Sequence, residues 1–189
     1  MIFIITGFTA FLLYIIYDIN SVKHLSRIFH GFFAVGSALL IISTAGAAVL
    51  GYLKIHPALS QMIAFGIPAC IFMAILVYTL FFALPFDEVY VNTKEGRSNV
   101  CKTGMYALCR HPGVLWLTGF YVCLALAVPA PATAAACAVF SALNIVYVII
   151  QDKWTFPLTF SDYEQYKKDT PFLLPTVKSL RYCIRTLRG

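Results

Sequence analysis

The sequence predicts an all-α, polytopic membrane protein with about five transmembrane helices, a C-terminal helical hairpin and a cytoplasmic amphipathic tail helix. Three observations carry that expectation. Hydrophobic residues make up 60% of the 189 positions and charged residues only 12%, about half the charge of a typical soluble domain. The apolar residues gather in five runs whose lengths suit helices crossing roughly 30 Å of hydrocarbon. Lys and Arg fall in alternate connections between those runs, as they do in a chain with a fixed orientation in a bilayer. Too little polar surface remains for a soluble enzyme of this size. The aromatic and branched content excludes disorder, and the lack of a regular period excludes collagen and solenoid repeats. Residues 1–189 read as a single integral membrane domain.

The first run spans Met1 to Tyr17, the second Phe29 to Leu53 and the third Gln61 to Pro85. The fourth spans Val114 to Val128 and the fifth Ala132 to Ile150. Pro129 and Pro131 mark the tight turn that makes these two a hairpin. The fourth run is short, so it is expected to be thinned, tilted or sheltered by neighbours. No basic region precedes the first run and no small-residue cleavage site follows it, so a retained span is expected. Five spans place the first connection, the third connection and the tail on one face. That face holds thirteen of the fourteen Lys and Arg residues, Lys54 being the exception. The N-terminus is therefore expected outside and the C-terminus in the cytoplasm. The net charge of +6 follows from this arrangement and from attraction to anionic lipid; it calls for no nucleic-acid partner. Cys70, Cys123 and Cys137 fall within runs, where cysteine packs as a small hydrophobe. Cys101, Cys109 and Cys183 fall on the inferred cytoplasmic face, where thiols stay reduced. Neither a disulfide framework nor metal-ligand spacing is present in the sequence.

The remaining charge is unevenly placed. Residues 87–113 and the stretch from Asp152 to the end together carry eighteen of the 22 charged side chains. The first of these segments closes with Arg110-His111-Pro112-Gly113 and runs straight into the fourth helix. Pro112 suits a first helical turn. Arg110 and His111 then stand at a helix N-terminus, whose free N–H groups and dipole favour an anion. Either a ligand carboxylate or phosphate docks there, or Arg110 anchors to lipid phosphate while His111 caps or packs. The second segment, residues 151–175, opens with Gln151 and Asp152 at the end of the fifth run. The short hairpin turn should bring Asp152 beside Arg110 and His111. This makes either a two-sign ligand site or an ion pair that joins two helices. Tyr163 and Tyr166, three apart, share one face of a short helix next to Lys167 and Lys168; such rings anchor at headgroup level or form a pocket wall. Residues 176–189 read as an interfacial helix, with Val177, Leu180, Ile184 and Leu187 opposed by Lys178, Arg181, Arg185 and Arg188. Asp18, His24 and His30 read as interfacial, and His56 lies in the outside connection without a role.

Taken in order, Thr103-Gly-Met-Tyr106, Arg110-His111-Pro112, the helical hairpin, Tyr163-x-x-Tyr166-Lys-Lys-x-x-Pro171 and Pro175 resemble the isoprenylcysteine carboxyl methyltransferase and phospholipid methyltransferase group. The resemblance covers about residues 100–180. It implies a membrane enzyme that binds S-adenosylmethionine between the Arg-His-Pro segment and the acidic end of the last span, and a lipid-like or prenylated acceptor that enters from the bilayer. By that resemblance Tyr106, His111, Pro112, Gly113, Gln151 and Asp152 are the cofactor-binding candidates. Arg110 and Asp152 are the catalytic candidates, Arg110 by orienting a carboxylate. Trp116, Trp154, Tyr163 and Tyr166 are the candidates for acceptor contacts. The chain departs from the group's pattern at two places. Val114 stands where an aromatic residue is usual, and Gln151-Asp152 stands where paired glutamates are usual.

The bilayer and a lipid-like or prenylated acceptor are the partners this implies. Methyl transfer is an in-line displacement that needs no nucleophilic side chain, only alignment and exclusion of water. Two other classes compete: an NADPH-dependent membrane reductase of the steroid and sterol reductase type, which resembles this group in its C-terminal half, and a non-catalytic membrane protein that retains the fold.

Overall fold

The computed structural model describes residues 1–83 and 99–187, and every regular element among them is helical. All five apolar runs are helices: α1 (Ile2–Lys23), α2 (Phe32–Ile55), α3 (Leu59–Phe81), α4 (Pro112–Ala127) and α5 (Pro131–Ile150). Pro131 opens α5 as its first residue instead of standing in the turn, because a missing N–H costs nothing there. Residues 84 and 85, expected to finish the third run, lie outside the described residues, as do residues 87–98 of the first polar segment.

Four helices are long and apolar enough to cross a membrane. They are α1, α2 with the 3-10 turn Ile28–Gly31 before it, α3, and α5 with its continuation to Thr159. Helix α4 has 16 residues, which is about 24 Å at 1.5 Å per residue. It packs between α3 and α5, so it has the sheltering that its length demands. Large apolar side chains such as Ile5, Ile41, Ile42, Ile67 and Val122 face outward on the helices, a surface suited to lipid and not to water.

Helices α1 and α2 both stop at a histidine in the left-handed region, His24 at φ 51° and His56 at φ 46°. In each, the histidine N–H closes the last turn, on Asn20 O at 2.7 Å and on Tyr52 O at 2.9 Å. This leaves the final carbonyls satisfied. Asn20 is fully buried; its Oδ1 accepts the Ser26 N–H at 2.8 Å, and its Nδ2 lies 3.3 Å from His30 Nδ1. The α1–α2 connection is therefore folded back on the helix end.

Helix α1 packs along α2, both pack against α5, α5 against α4, and α4 against α3. The core is Phe11 and Tyr14 of α1, Ala47 of α2, Tyr121 of α4, and Ala136, Cys137 and Phe140 of α5. The Phe140 ring occupies the place where a side chain at Gly7 would begin, which is why that position of α1 has none. Hydroxyls tie the helices: Thr133 Oγ1 donates to Ala47 O at 2.8 Å, and Thr44 Oγ1 and Tyr121 OH pair at 3.1 Å. Close contact and interhelical hydrogen bonds replace the hydrophobic drive that lipid does not supply.

Beyond Ile150 the helix widens into a π-turn, Gln151–Thr155, and resumes as α6 (Phe156–Thr159). Pro157 accounts for the widening. In an α-helix its ring would meet the Lys153 carbonyl and it has no N–H to offer. Here the Phe156 N–H reaches back to Gln151 O instead. Two more helices follow, α7 (Tyr163–Asp169) and α8 (Val177–Leu187). Thr176 and Ser179 cap α8 reciprocally: Ser179 N–H donates to Thr176 Oγ1 at 3.1 Å, and Thr176 N–H donates to Ser179 Oγ at 2.9 Å, as in a capping box.

The tail helix is three-sided, not the two-sided helix that its pattern predicts. Cys183 and Thr186 rest on the 3-10 turn Gly104–Ala107, where Gly104 N–H donates to Thr186 Oγ1 at 2.9 Å, and Ser179 on the same side is buried. The apolar residues Val177, Leu180, Ile184 and Leu187 are exposed, as are Lys178, Arg181 and Arg185. Arg188 lies outside the described residues.

Candidate functional site

The short hairpin turn does bring Arg110 and His111 to Asp152. Arg110 Nε donates to Asp152 Oδ1 at 2.7 Å and Nη2 donates to Oδ2 at 3.2 Å, a bidentate pair with side chains only 12% and 10% exposed. Arg110 Nη1 donates to the carbonyls of Lys167 at 3.1 Å and Thr170 at 3.0 Å. Its guanidinium also lies over the Phe172 ring, 5.4 Å from the centroid. Tyr163 OH donates to Asp152 Oδ1 at 2.7 Å. The anion expected at the start of α4 is thus supplied from within the chain, and four of the five guanidinium N–H groups are spent on it and on two carbonyls.

His111 is the N-cap residue of α4 and is buried. Its ring stacks on Phe156 at 5.5 Å and 15° and meets Phe172 edge-on at 5.4 Å. Burial pushes its pKa below the ordinary 6.5, more than the neighbouring Asp152 carboxylate raises it, with Arg110 adding to the depression. The imidazole is therefore neutral at pH 7. Its Nε2 stands 3.4 Å from Asp152 Oδ1, an oxygen already taken by Arg110 and Tyr163. It makes no hydrogen bond among the described residues. Thr155, at the end of the π-turn, is 3% exposed, and its Oγ1 is likewise without a partner among them. These are two of four buried polar atoms without a partner among the described residues, the others being Trp116 Nε1 and Thr118 Oγ1 on α4; buried groups are otherwise paired, so His111 and Thr155 are free to meet a polar ligand. In that respect the residues fit S-adenosylmethionine, which carries both hydrogen-bond donors and acceptors.

Tyr163 and Tyr166 share one face of α7 as their spacing predicts, but they do not anchor at a headgroup surface. They are 1% and 2% exposed, because each hydroxyl has an acceptor inside: Asp152 for Tyr163, and Tyr106 O at 2.6 Å for Tyr166. Burial pushes both phenols well above the usual range, with the Asp152 carboxylate adding to it at Tyr163, so both remain donors. Tyr106 OH in turn donates to Thr79 O in α3 at 3.1 Å. Cys109, buried beneath this layer, has its thiol pushed up to about 11 by burial and is no thiolate at neutral pH.

The other sequence-derived residues are placed apart from the ion pair. Pro112 is buried in the first turn of α4, and a side chain begun at Gly113 would meet Leu76 and Leu80 of α3 at 3.6 Å. Val114 is buried. Trp116 stacks on Phe72 of α3 at 6.5 Å, in the cluster with Ala107, Leu108 and Cys183; its Nε1 is buried without a partner among the described residues. Trp154 is half-buried on the π-turn.

Gln151 points the other way from Asp152, toward α1. Its Nε2 donates to Asp18 Oδ2 and to Tyr147 OH, both at 2.9 Å. Asp18 is 5% exposed, which corrects its reading as an interfacial residue. A carboxylate four residues after Tyr14, on the helix that continues the apolar run past Tyr17, was the available signal, since charged groups on such helices turn inward. His24 and His30 are exposed, as interfacial residues are.

No family model matches the sequence, and no curated protein or solved structure matches it either.

Removing one member of the ion pair strands a buried charge. Arg110→Ala and Asp152→Ala are each expected to cost about 3–5 kcal/mol in unfolding measured in mixed micelles. The double variant should cost less than the two together. Losses below about 1 kcal/mol, the level of an exposed pair, would refute this. Because His111 binds its proton less readily folded than unfolded, the unfolded chain takes up more protons below pH 6.5. Stability should therefore be full above that pH and decline as pH falls through it. Melting temperatures across pH 5–8 check this, and His111→Gln should flatten the acid side.

Proposed function

We propose that the protein is a membrane-embedded S-adenosylmethionine-dependent methyltransferase of the isoprenylcysteine carboxyl and phospholipid methyltransferase type, acting on a lipid-like or prenylated acceptor with carboxylate O-methylation favoured. The observation that carries this reading is the pair of open polar atoms, His111 Nε2 and Thr155 Oγ1, buried beside the Arg110–Asp152 pair. The resemblance over residues 100–180 supports it, since its Arg110-His111-Pro112 motif contains one of these two residues. When bound, S-adenosylmethionine supplies an electrophilic methyl group on a sulfonium.

The chain's own part is positional. Arg110 and Asp152 hold the start of α4, the π-turn and α7 in register, and their mutual neutralisation keeps the surroundings dry. His111 and Thr155 hold the cofactor by hydrogen bonds, and Tyr106 and Tyr166 form the wall behind them. A carboxylate acceptor reacts without a general base, whereas an ammonium acceptor first loses a proton, for which neutral His111 is the nearest base. In this reading five helices span the bilayer, with the N-terminus outside. The exposed apolar and basic sides of α8 lie on the anionic inner leaflet. A second reading, a non-catalytic protein that keeps the fold, is favoured by the saturation of Arg110 within the chain, which leaves it one N–H for any ligand.

Titration of the detergent-purified protein with S-adenosylhomocysteine and, separately, with NADPH discriminates. Saturable binding of the first alone is expected, weakened about tenfold or more, the equivalent of one lost hydrogen bond to a charged ligand, in His111→Leu and Thr155→Val. Binding of the dinucleotide alone would indicate a reductase, and binding of neither the scaffold. For orientation, a reporter active only in the cytoplasm, fused after Gly189, should be active; an inactive fusion with an active extracytoplasmic counterpart overturns the topology.

A further inference from the structure

A second polar centre lies on the opposite side of the π-turn from the Arg110–Asp152 pair. Asp18 is buried, and its hydrogen-bond partners among the described residues are two neutral groups, the Gln151 amide and the Tyr147 hydroxyl. Among those residues no Lys, Arg or His nitrogen comes within ion-pair distance of its carboxylate. The surroundings are aromatic. Tyr14, one turn before Asp18, has its ring 5.6 Å from Tyr147 and 5.4 Å from Phe33, and Phe33 lies 5.5 Å from Tyr17. Tyr147 is one turn before Gln151 and shares its amide with Asp18.

Taking a carboxylate out of water without a cation is costly. A guanidinium partner was available in kind, since the chain builds one for Asp152, but none faces Asp18 among the described residues. A carboxylate beside several aromatic faces is the chemistry that receives an onium ion: the charge meets the carboxylate, and the alkyl groups meet the ring quadrupoles. A small inorganic cation has no use for the rings. Phe33 is 40% exposed, so the cluster has an edge through which a ligand can reach it.

We propose that Asp18, with Gln151, Tyr147, Tyr14, Tyr17 and Phe33, forms a binding site for an alkylammonium group, distinct from the Arg110–Asp152 centre. The site does not depend on the methyltransferase reading, because none of its evidence comes from the His111 side of the turn.

The test is thermal unfolding of the purified full chain in detergent, followed with a thiol-reactive dye, against tetramethylammonium and choline chloride with sodium chloride at matched ionic strength. A saturable rise in Tm with the two onium salts, beyond that with sodium, is expected. Asp18→Asn keeps an oxygen that can accept from Gln151 and is expected to weaken the half-saturating concentration at least about tenfold, the loss of one charge-assisted contact. Phe33→Ala, at the exposed edge, should reduce the preference for the onium salts over sodium, read as the Tm shift relative to that variant's own Tm without ligand. Equal shifts with sodium, no shift with any salt, or unchanged onium binding in Asp18→Asn each overturn the proposal; the last two would mean that a proton neutralises Asp18. S-adenosylhomocysteine binding, measured on the same samples, reports separately on the other centre.

Discussion

A guanidinium withdrawn from water must find an acceptor for nearly every N–H, and at Arg110 that requirement organises the polar end of the helix bundle. Its partners come from two later stretches of the chain: Asp152 on the π-turn, and the carbonyls of Lys167 and Thr170 at the end of α7. The backbone N–H of Arg110 adds Pro171 O at 2.9 Å. One side chain thus fixes the start of α4, the end of α5 and the return of the chain after α7. In a low-dielectric setting such a pair contributes little net stability over a well-packed apolar core, but it penalises every arrangement that separates its members. Its value here is to make one arrangement of these segments much better than the rest.

The π-turn decides what surrounds that pair. Pro157 forbids the regular helix from continuing, and on the π-turn that results the adjacent side chains Gln151 and Asp152 reach different neighbours. Asp152 meets Arg110 and His111, and Gln151 meets Asp18. A chain of polar contacts consequently crosses the bundle at one level, from Asp18 through the π-turn to Tyr163. A parallel link runs from Tyr166 through Tyr106 to Thr79. Beyond this level the helices hold together by close approach and single hydroxyl bonds. The proposed chemistry belongs at the level where buried polar groups accumulate and His111 Nε2 and Thr155 Oγ1 remain open.

Much of the architecture was legible along the chain, because apolar runs and proline positions are local properties. The five helices, the hairpin and the meeting of Arg110 with Asp152 could be read from run length, Pro129, Pro131 and a short turn. The face of α7 shared by Tyr163 and Tyr166 followed from their spacing. What that face touches did not: rings next to Lys167 and Lys168 look interfacial until internal acceptors for their hydroxyls appear. The tail helix shows the same limit. Its apolar and basic stripes were visible, but the small polar stripe of Ser179, Cys183 and Thr186, whose last two residues contact the 104–107 turn, has no hydrophobic signal to reveal it.

The sequence by itself determined the solvent, the helices and the level at which charge is concentrated, because these depend on composition and period. Only the tertiary structure decided which charges neutralise each other and which stay open. It joined Arg110 to Asp152 and left Asp18, 134 positions before Asp152 in the chain, without a cation among the described residues. The physical reason is that burial and pairing are set by neighbours from other helices. A carboxylate in an apolar run looks the same in sequence whether its partner is a guanidinium, an amide or a ligand.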